Sequence, residues 1–245
     1  MNILIPMAGA GSRFKEAGYR KPKPLIDIEG KTMIRRVVED IGLKGTYIFL
    51  VQSVQLLDKR IVKELQDIAP GSILLPVDGM TDGAACTCLL AEKLIDNSEP
   101  LLIANCDQLL NWDVRMVAPL LDSLIAGPWA GLIPVFESTD ICNSYAQTVP
   151  LGPDGGIIER VVQVAEKKVI SNNATCGVYY WTKGSTFVHS ARWMISSKDM
   201  TNGEYYVCPA YNQALSQGWC FLSYKIDNHV SLGTPEHLEA YLGHS

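Results

Sequence analysis

The chain has 245 residues, 47% of them hydrophobic and 19% charged, and carries a formal net charge of −5. That apolar fraction supports a substantial core, and the length suits one large domain or a core with an appended lobe. An acidic balance without basic blocks or aromatic–basic interleaving excludes nucleic acid as the main partner, while a local cationic cluster can still bind phosphate.

Asn2 to Met7 is an apolar run that predicts a strand, and it breaks into Ala8-Gly9-Ala10-Gly11-Ser12-Arg13-Phe14. Lys31 to Asp40 reads as a helix, with Ile34, Val37, Val38 and Ile41 spaced along one face. Tyr47 to Val51 suits a strand buried on both faces. A helix with Leu57, Ile61, Leu65 and Ile68 on one side follows, and Gly71 stops it. Ser72 to Val77 predicts a strand, Ala84 to Ile95 a helix, and Leu101 to Ala104 a strand ending at Asn105-Cys106-Asp107-Gln108. Val114 to Ala126 reads as helix and Leu132 to Val135 as strand.

Beyond about residue 140 the pattern changes. Gly152-Pro153-Asp154-Gly155-Gly156 is a turn signal. Ile157 to Ala165 and Ala174 to Trp181 read as antiparallel strands, with a loop at Ser171-Asn172-Asn173. Met200 to Gln217 predicts a helix interrupted near Pro209, and Cys220 to Ile226 a strand. A final helix starts at Pro235, with Thr234 as its N-cap. Alternating strands and helices predict an α/β fold: a Rossmann-like, mostly parallel sheet flanked by helices, with a small antiparallel substrate lobe. Ligands in such sheets gather at the carboxyl ends of the strands, where the glycine loop and Asp107 meet.

Glycines at positions 9 and 11 either make a tight turn or let backbone N–H groups approach an anion. Arg13 adds a planar fork of donors, and Lys23, locked between Pro22 and Pro24, a compact charge. Together they describe a polyphosphate site. It is neither of two familiar glycine motifs. Phe14 stands where the dinucleotide fingerprint needs its third glycine, and Gly30-Lys31-Thr32 lacks the first glycine of a P-loop, which would fall at Leu25. Asp107, at a strand end facing this loop, is suited to hold Mg²⁺ together with phosphate oxygens and water. Seven scattered cysteines, with no Cys-x-x-Cys, imply reduced thiols and a cytoplasmic home. No signal-peptide pattern or membrane-length apolar run is present, so no membrane partner is expected. The antiparallel segment Ile157 to Ile170 offers an edge for pairing in a homodimer.

Ile5-Pro6-Met7-Ala8-Gly9-x-Gly11-Ser12-Arg13-Phe14, Pro22-Lys23-Pro24-Leu25-Ile26, Asn105-Cys106-Asp107-Gln108 and Leu232-Gly233-Thr234-Pro235-Glu236 resemble the nucleotidyltransferase superfamily. That group includes sugar-1-phosphate nucleotidylyltransferases and the cytidylyltransferases of capsule and surface-polysaccharide synthesis, and Gly-Ser-Arg-Phe with Cys-Asp-Gln is most similar to the capsule branch. The resemblance implies transfer of NMP from an NTP, CTP before the others, to a phosphorylated small-molecule acceptor with release of pyrophosphate. It implies that Ala8, Gly9, Ala10, Gly11 and Ser12 cradle the phosphates, with Arg13 and Lys23 as the catalytic cations. Gly83 and Ala84 would contact the base or ribose, and Asp107 the Mg²⁺ that bridges the nucleotide. Gly177, Glu204, Tyr205 and Tyr206 would meet the acceptor. Residues 1–140 would form the nucleotide-binding core, and 141–245 the acceptor-binding lobe and closing elements.

The chain departs from the family's pattern at one place. Many relatives carry an aspartate just before the late Gly-Thr-Pro as a second metal ligand, whereas Val230-Ser231-Leu232-Gly233 has no carboxylate and leaves Asp227 as the candidate. Two other classes compete. A metal-dependent glycosyltransferase of related fold would carry Asp-x-Asp where this chain has Asn105-Cys106-Asp107. A non-catalytic nucleotide-binding protein would not need the Arg13, Lys23 and Asp107 set.

Overall fold

The computed structural model describes residues 1–152, 156–227 and 229–243. The first half runs β1 (Asn2–Pro6), α1 (Ser12–Glu16), a 3₁₀ turn at Lys23–Leu25, β2 (Asp27–Ile28), β3 (Lys31–Thr32), α2 (Met33–Ile41) and β4 (Thr46–Gln52). Then come α3 (Ser53–Leu56), α4 (Lys59–Ile68), β5 (Ile73–Val77), α5 (Ala84–Leu89), α6 (Glu92–Ile95), β6 (Leu101–Ala104), β7 (Gln108–Leu109), α7 (Val114–Ala126) and β8 (Gly131–Glu137). The second half adds β9 (Ser144–Pro150), β10 (Ile158–Glu166), β11 (Asn173–Thr175), β12 (Val178–Trp181) and α8 (Gly184–Ser196). It closes with α9 (Ala210–Ser216), β13 (Phe221–Lys225), β14 (Val230–Ser231) and α10 (Pro235–Gly243).

Ten strands form one mixed sheet in the order β11-β9-β10-β13-β8-β12-β6-β1-β4-β5. The β6-β1-β4-β5 side is parallel, as βαβ connections require, and its strands are apolar because helices cover both faces. Ile3 and Ile5 of β1 point into one core with α2 and α7, and Leu4 into the other with α5 and α8. The antiparallel strands continue this same sheet. β11 pairs with both β9 and β8, so β8, β13, β10, β9 and β11 close into a ring. Two small ribbons, β2 with β3 and β7 with β14, stand apart from it.

Several sequence expectations need correction. Leu57 is 82% exposed and precedes α4, because the Asp58 carboxylate accepts from the Arg60 N–H and starts the helix there. The stretch from Ala84 to Ile95 breaks into α5 and α6. Ala174 to Trp181 splits into β11 and β12 at Gly177, which turns with φ +69°. Pro209 caps α9, so the helix before Gln217 is short. Segment β10 has β9 on one side and β13 on the other, so it is no free edge. Strand β9 and helix α8 were not anticipated, although Phe187, Val188, Ala191 and Met194 repeat at helical spacing. The Pro153-Asp154-Gly155 turn signal lies outside the described residues.

Gly131 tests the register at the centre of the sheet. A Cβ there would lie 2.1 Å from the Tyr180 carbonyl oxygen across the β8–β12 pairing. Gly131→Ala should therefore destabilise by about 1–3 kcal/mol or more, read as a lowered urea midpoint. An unchanged midpoint would refute this strand pairing.

Candidate active site

The parallel register aligns Leu4 with Ile103, so β1 and β6 deliver their following loops to one edge of the sheet. The loop after β1 turns at Gly11, which takes φ +60° as the N-cap of α1. Lys23 comes from the 3₁₀ turn that follows and rests 5.4 Å from the Phe14 ring centroid. Its Nζ donates to Asp107 Oδ2 and, at 3.2 Å, to the carbonyl of Gly233 in the loop before α10. Three chain segments remote in sequence thus converge on one ammonium. Burial pulls the Lys23 pKa down, but the charge and hydrogen bond of Asp107 outweigh it and leave it above the ordinary value.

Asp107 is held on its other side as well. Gln108 Nε2 donates to Oδ1 at 3.0 Å, and the Leu232 N–H donates to the Asp107 carbonyl at 2.8 Å. Gln108 Oε1 lies 2.8 Å from His229 Nε2, and the His229 ring stacks on Phe136 with centroids 4.0 Å apart. Burial drives His229 down to about 4, against a smaller upward pull from Asp107.

Two adjoining cavities open here. The smaller, about 270 Å³, is lined by Gly9, Gly11, Lys23, Pro24, Asn105 and Asp107 among others. The larger, about 810 Å³, shares Lys23, Asn105 and Asp107 and extends past Arg13, Ala84, Gly177 and Tyr206 to Asn143, Glu166 and Lys167. In this lining Lys167 donates to the Tyr206 hydroxyl and lies over that ring, 4.6 Å from the centroid. Lys167 holds φ +51°, an uncommon conformation for a residue with a Cβ. Burial raises Glu166 above the usual carboxylate range, opposed by the Ser144 hydroxyl and by Lys167. Glu166, Lys167, Asn143 and His229 escaped sequence reasoning, and Gln108 was read only as part of its motif; the Glu166-Lys167 pair at a strand end was the available signal.

The cavities gather only part of the expected set. Ala8 is buried, and Ala10 and Ser12 lie outside both linings. Gly83 does not line the cleft either; at φ +126° it presses on Tyr205, where a Cβ would meet backbone at 2.5 Å. Tyr205 faces the core at 7% exposure, and its backbone N–H and carbonyl tie down Asp82 and Ala85. Glu204 and Asp227 are exposed and absent from the lining. Among the described residues, no group of three or more His, Cys, Asp or Glu side chains is placed to hold a metal. No helix among them is long and apolar enough to cross a membrane.

No protein-family model matches the sequence, and no curated protein matches it significantly. Solved structures do match. A nucleoside-diphosphate-sugar pyrophosphorylase from Vibrio cholerae RC9 superposes with TM-score 0.82 at 24% identity, over 98% of this chain and 99% of that one. This chain has the nucleotidyltransferase fold. A UDP-glucose pyrophosphorylase complexed with UDP-glucose gives 0.76 at 19% identity, over 100% and 99% of the two chains. An inositol-1-phosphate CTP transferase from T. maritima gives 0.68 at 14% identity, over 98% and 95%. The nucleotidyltransferase fold therefore spans essentially the whole chain, the glycine loop and Asp107 included.

His229 gives this site a pH signature. An unfolded histidine takes up its proton near 6.5, and folded His229 only near 4. The unfolded chain thus binds the extra proton between those values, and stability falls as pH drops from about 6.5 toward about 4. His229→Phe should lose less stability than the parent between about pH 7 and about pH 5, measured by urea unfolding. An identical loss in both proteins would place the cost elsewhere.

Proposed function

We propose that this chain is a nucleotidyltransferase that moves NMP from a nucleoside triphosphate to a phosphorylated small-molecule acceptor, releasing pyrophosphate. The observation that carries this reading is the Lys23 ammonium, fixed by Asp107 and Gly233 where the glycine loop meets the cleft. The acceptor phosphate is already a competent nucleophile at neutral pH, so the reaction needs no general base. It needs two polyanions brought into line and the extra charge of the transition state stabilised. The loop backbone at Gly9 and Gly11 cradles the triphosphate, Arg13 holds the leaving β- and γ-groups, and Lys23 turns from Asp107 to the α-phosphate.

Lys167, in the same lining, meets the acceptor phosphate, with Tyr206 fixing its position. Glu166 and Asn143 offer polar contacts to the rest of the acceptor, beside Gly177. In this reading residues 1–140 form the nucleotide-binding part, and 141–245 the acceptor-binding part and closing elements, which bring Gly233 to Lys23. Gly83 serves through its packing on Tyr205, which sets the Ala84 backbone beside the base or ribose.

Asp107 fits Mg²⁺ in the mode that uses one protein carboxylate and takes its remaining ligands from phosphate oxygens and water. When bound, the ion would neutralise phosphate charge. The superposed UDP-glucose pyrophosphorylase and inositol-1-phosphate CTP transferase handle uridine and cytidine nucleotides, which supports a pyrimidine triphosphate. We place CTP first, on the resemblance to the capsule branch, and a surface-polysaccharide precursor as product.

Lys23→Ala should retain the fold and lose roughly 10²–10⁴ in turnover, about 3–5 kcal/mol of transition-state stabilisation. The assay is pyrophosphate release with each triphosphate, Mg²⁺ and a panel of phosphorylated acceptors; near-parental turnover by the variant would sink the assignment. Thermal unfolding gives the binding side of the same test. A triphosphate at about 100 times its Kd should add about 2.7 kcal/mol with Mg²⁺ present. Stabilisation by nucleotide-sugars and by no triphosphate would instead favour a glycosyltransferase.

A further inference from the structure

We propose that Gln108 and His229 form a positioning relay that sets the orientation of the Asp107 carboxylate. The inference rests on the nucleotidyltransferase reading for its kinetic consequence, though not for its geometry. A glutamine amide has one donating and one accepting end, and both ends of Gln108 are engaged. Nε2 donates to Asp107 Oδ1 at 3.0 Å, so Oε1 must accept from the group on its other side. That group is His229 Nε2 at 2.8 Å, which can donate only when the imidazole proton resides on Nε2. The tautomer of His229 thereby fixes the amide, and the amide fixes the carboxylate.

The surroundings hold this relay in one geometry. Stacking on Phe136, with 24° between the planes, sets the plane of the His229 ring. Register pairing of Ser231 with Gln108 joins the loop before α10 to the loop after β6. Gly177 leaves room for the Gln108 stem: a Cβ there would lie 3.0 Å from Gln108 Cγ and 2.6 Å from Asn105 Nδ2.

The relay matters because Lys23 is the other partner of Asp107. Once Lys23 swings to a phosphate, Oδ2 loses its donor and the carboxylate is free to rotate about χ2. Gln108 is then the side chain that keeps it aimed into the cleft. His229 acts at one remove, without touching the reacting atoms.

His229→Phe keeps a ring to stack on Phe136 but removes the donor, whereas His229→Gln places an amide N–H near the position of Nε2. The phenylalanine variant should lower kcat by about 10–100-fold, as loss of a supporting hydrogen bond does, with the KM for triphosphate little changed. The glutamine variant should restore most of that loss. Parental kcat in His229→Phe, or equal losses in both variants, would overturn the relay. If His229→Phe does not fold, Gln108→Met, which loses both hydrogen bonds at similar size, carries the same kcat-against-KM test. Nitrogen-15 NMR of the parent's imidazole gives a readout that needs no turnover: the proton belongs on Nε2, and a bare Nε2 would overturn the proposal. Absence of pyrophosphate release from the parent with every triphosphate and acceptor would sink the functional reading, and the tautomer would still decide the relay.

Discussion

A lysine and a carboxylate from remote parts of the chain, both largely shielded from water, share one contact at the edge of the sheet. Desolvating two charges costs several kcal/mol, and the cost is recovered only where geometry is tight and the remaining polar atoms are satisfied. Lys23 meets that condition through Gly233, and Asp107 through Gln108. The pair keeps Lys23 protonated despite its burial, so positive charge is preorganised before any phosphate arrives. Removing one partner would leave the other as an uncompensated charge. Much of the surrounding backbone can be read as scaffolding for this pair.

That scaffolding begins with strand order. Placing β1 between β6 and β4 puts the glycine loop and the Asn105-Cys106-Asp107 loop side by side at the carboxyl edge. Further backbone bonds fix both loops: the Met7 N–H donates to Leu50 and the Asn105 N–H to Gly177. Gly177 is thus shared between the two halves of the molecule, since it ends the turn from β11 into β12 and abuts Asn105 and Gln108. The ring of β8, β13, β10, β9 and β11 contributes Glu166, the last residue of β10, and Lys167 just after it to the lining. A cleft that gathers Arg13, Lys23 and Lys167 in one lining has the positive charge to hold two anions.

The parallel half of the fold was legible because its strands are short unbroken apolar runs and its helices keep a clean apolar face. Val114–Ala126 falls where its spacing put it, and Thr234 caps the last helix through the His237 N–H. The antiparallel half was less legible. Strand β9 alternates weakly, with Tyr145 and Ala146 buried in succession, and α8 is buried on several sides, which blurs its period. In the site, the glycine loop, Lys23 and Asp107 could be read because the chemistry forces residue types into local motifs. Tyr205 misled because its sequence position is near the cleft while its side chain faces the core. Gln108 sits in the Asn105–Gln108 motif, but its partnership with His229 exists only across 121 positions.

That partnership bears on the missing second carboxylate. The stretch Val230-Ser231-Leu232-Gly233, which has no carboxylate, still docks at the site: Leu232 is fully buried in the core, and its backbone N–H binds the Asp107 carbonyl. The loop therefore keeps its docking while its side chain contributes nothing to the charge at the site. With Asp227 exposed, Asp107 is, among the described residues, the carboxylate that pairs with Lys23. A second carboxylate would share the task of orienting a cation; a single one must have its own direction set by neutral groups. Gln108 and His229 supply that direction without adding charge, and they leave Lys23 facing one negative neighbour that a phosphate can readily replace.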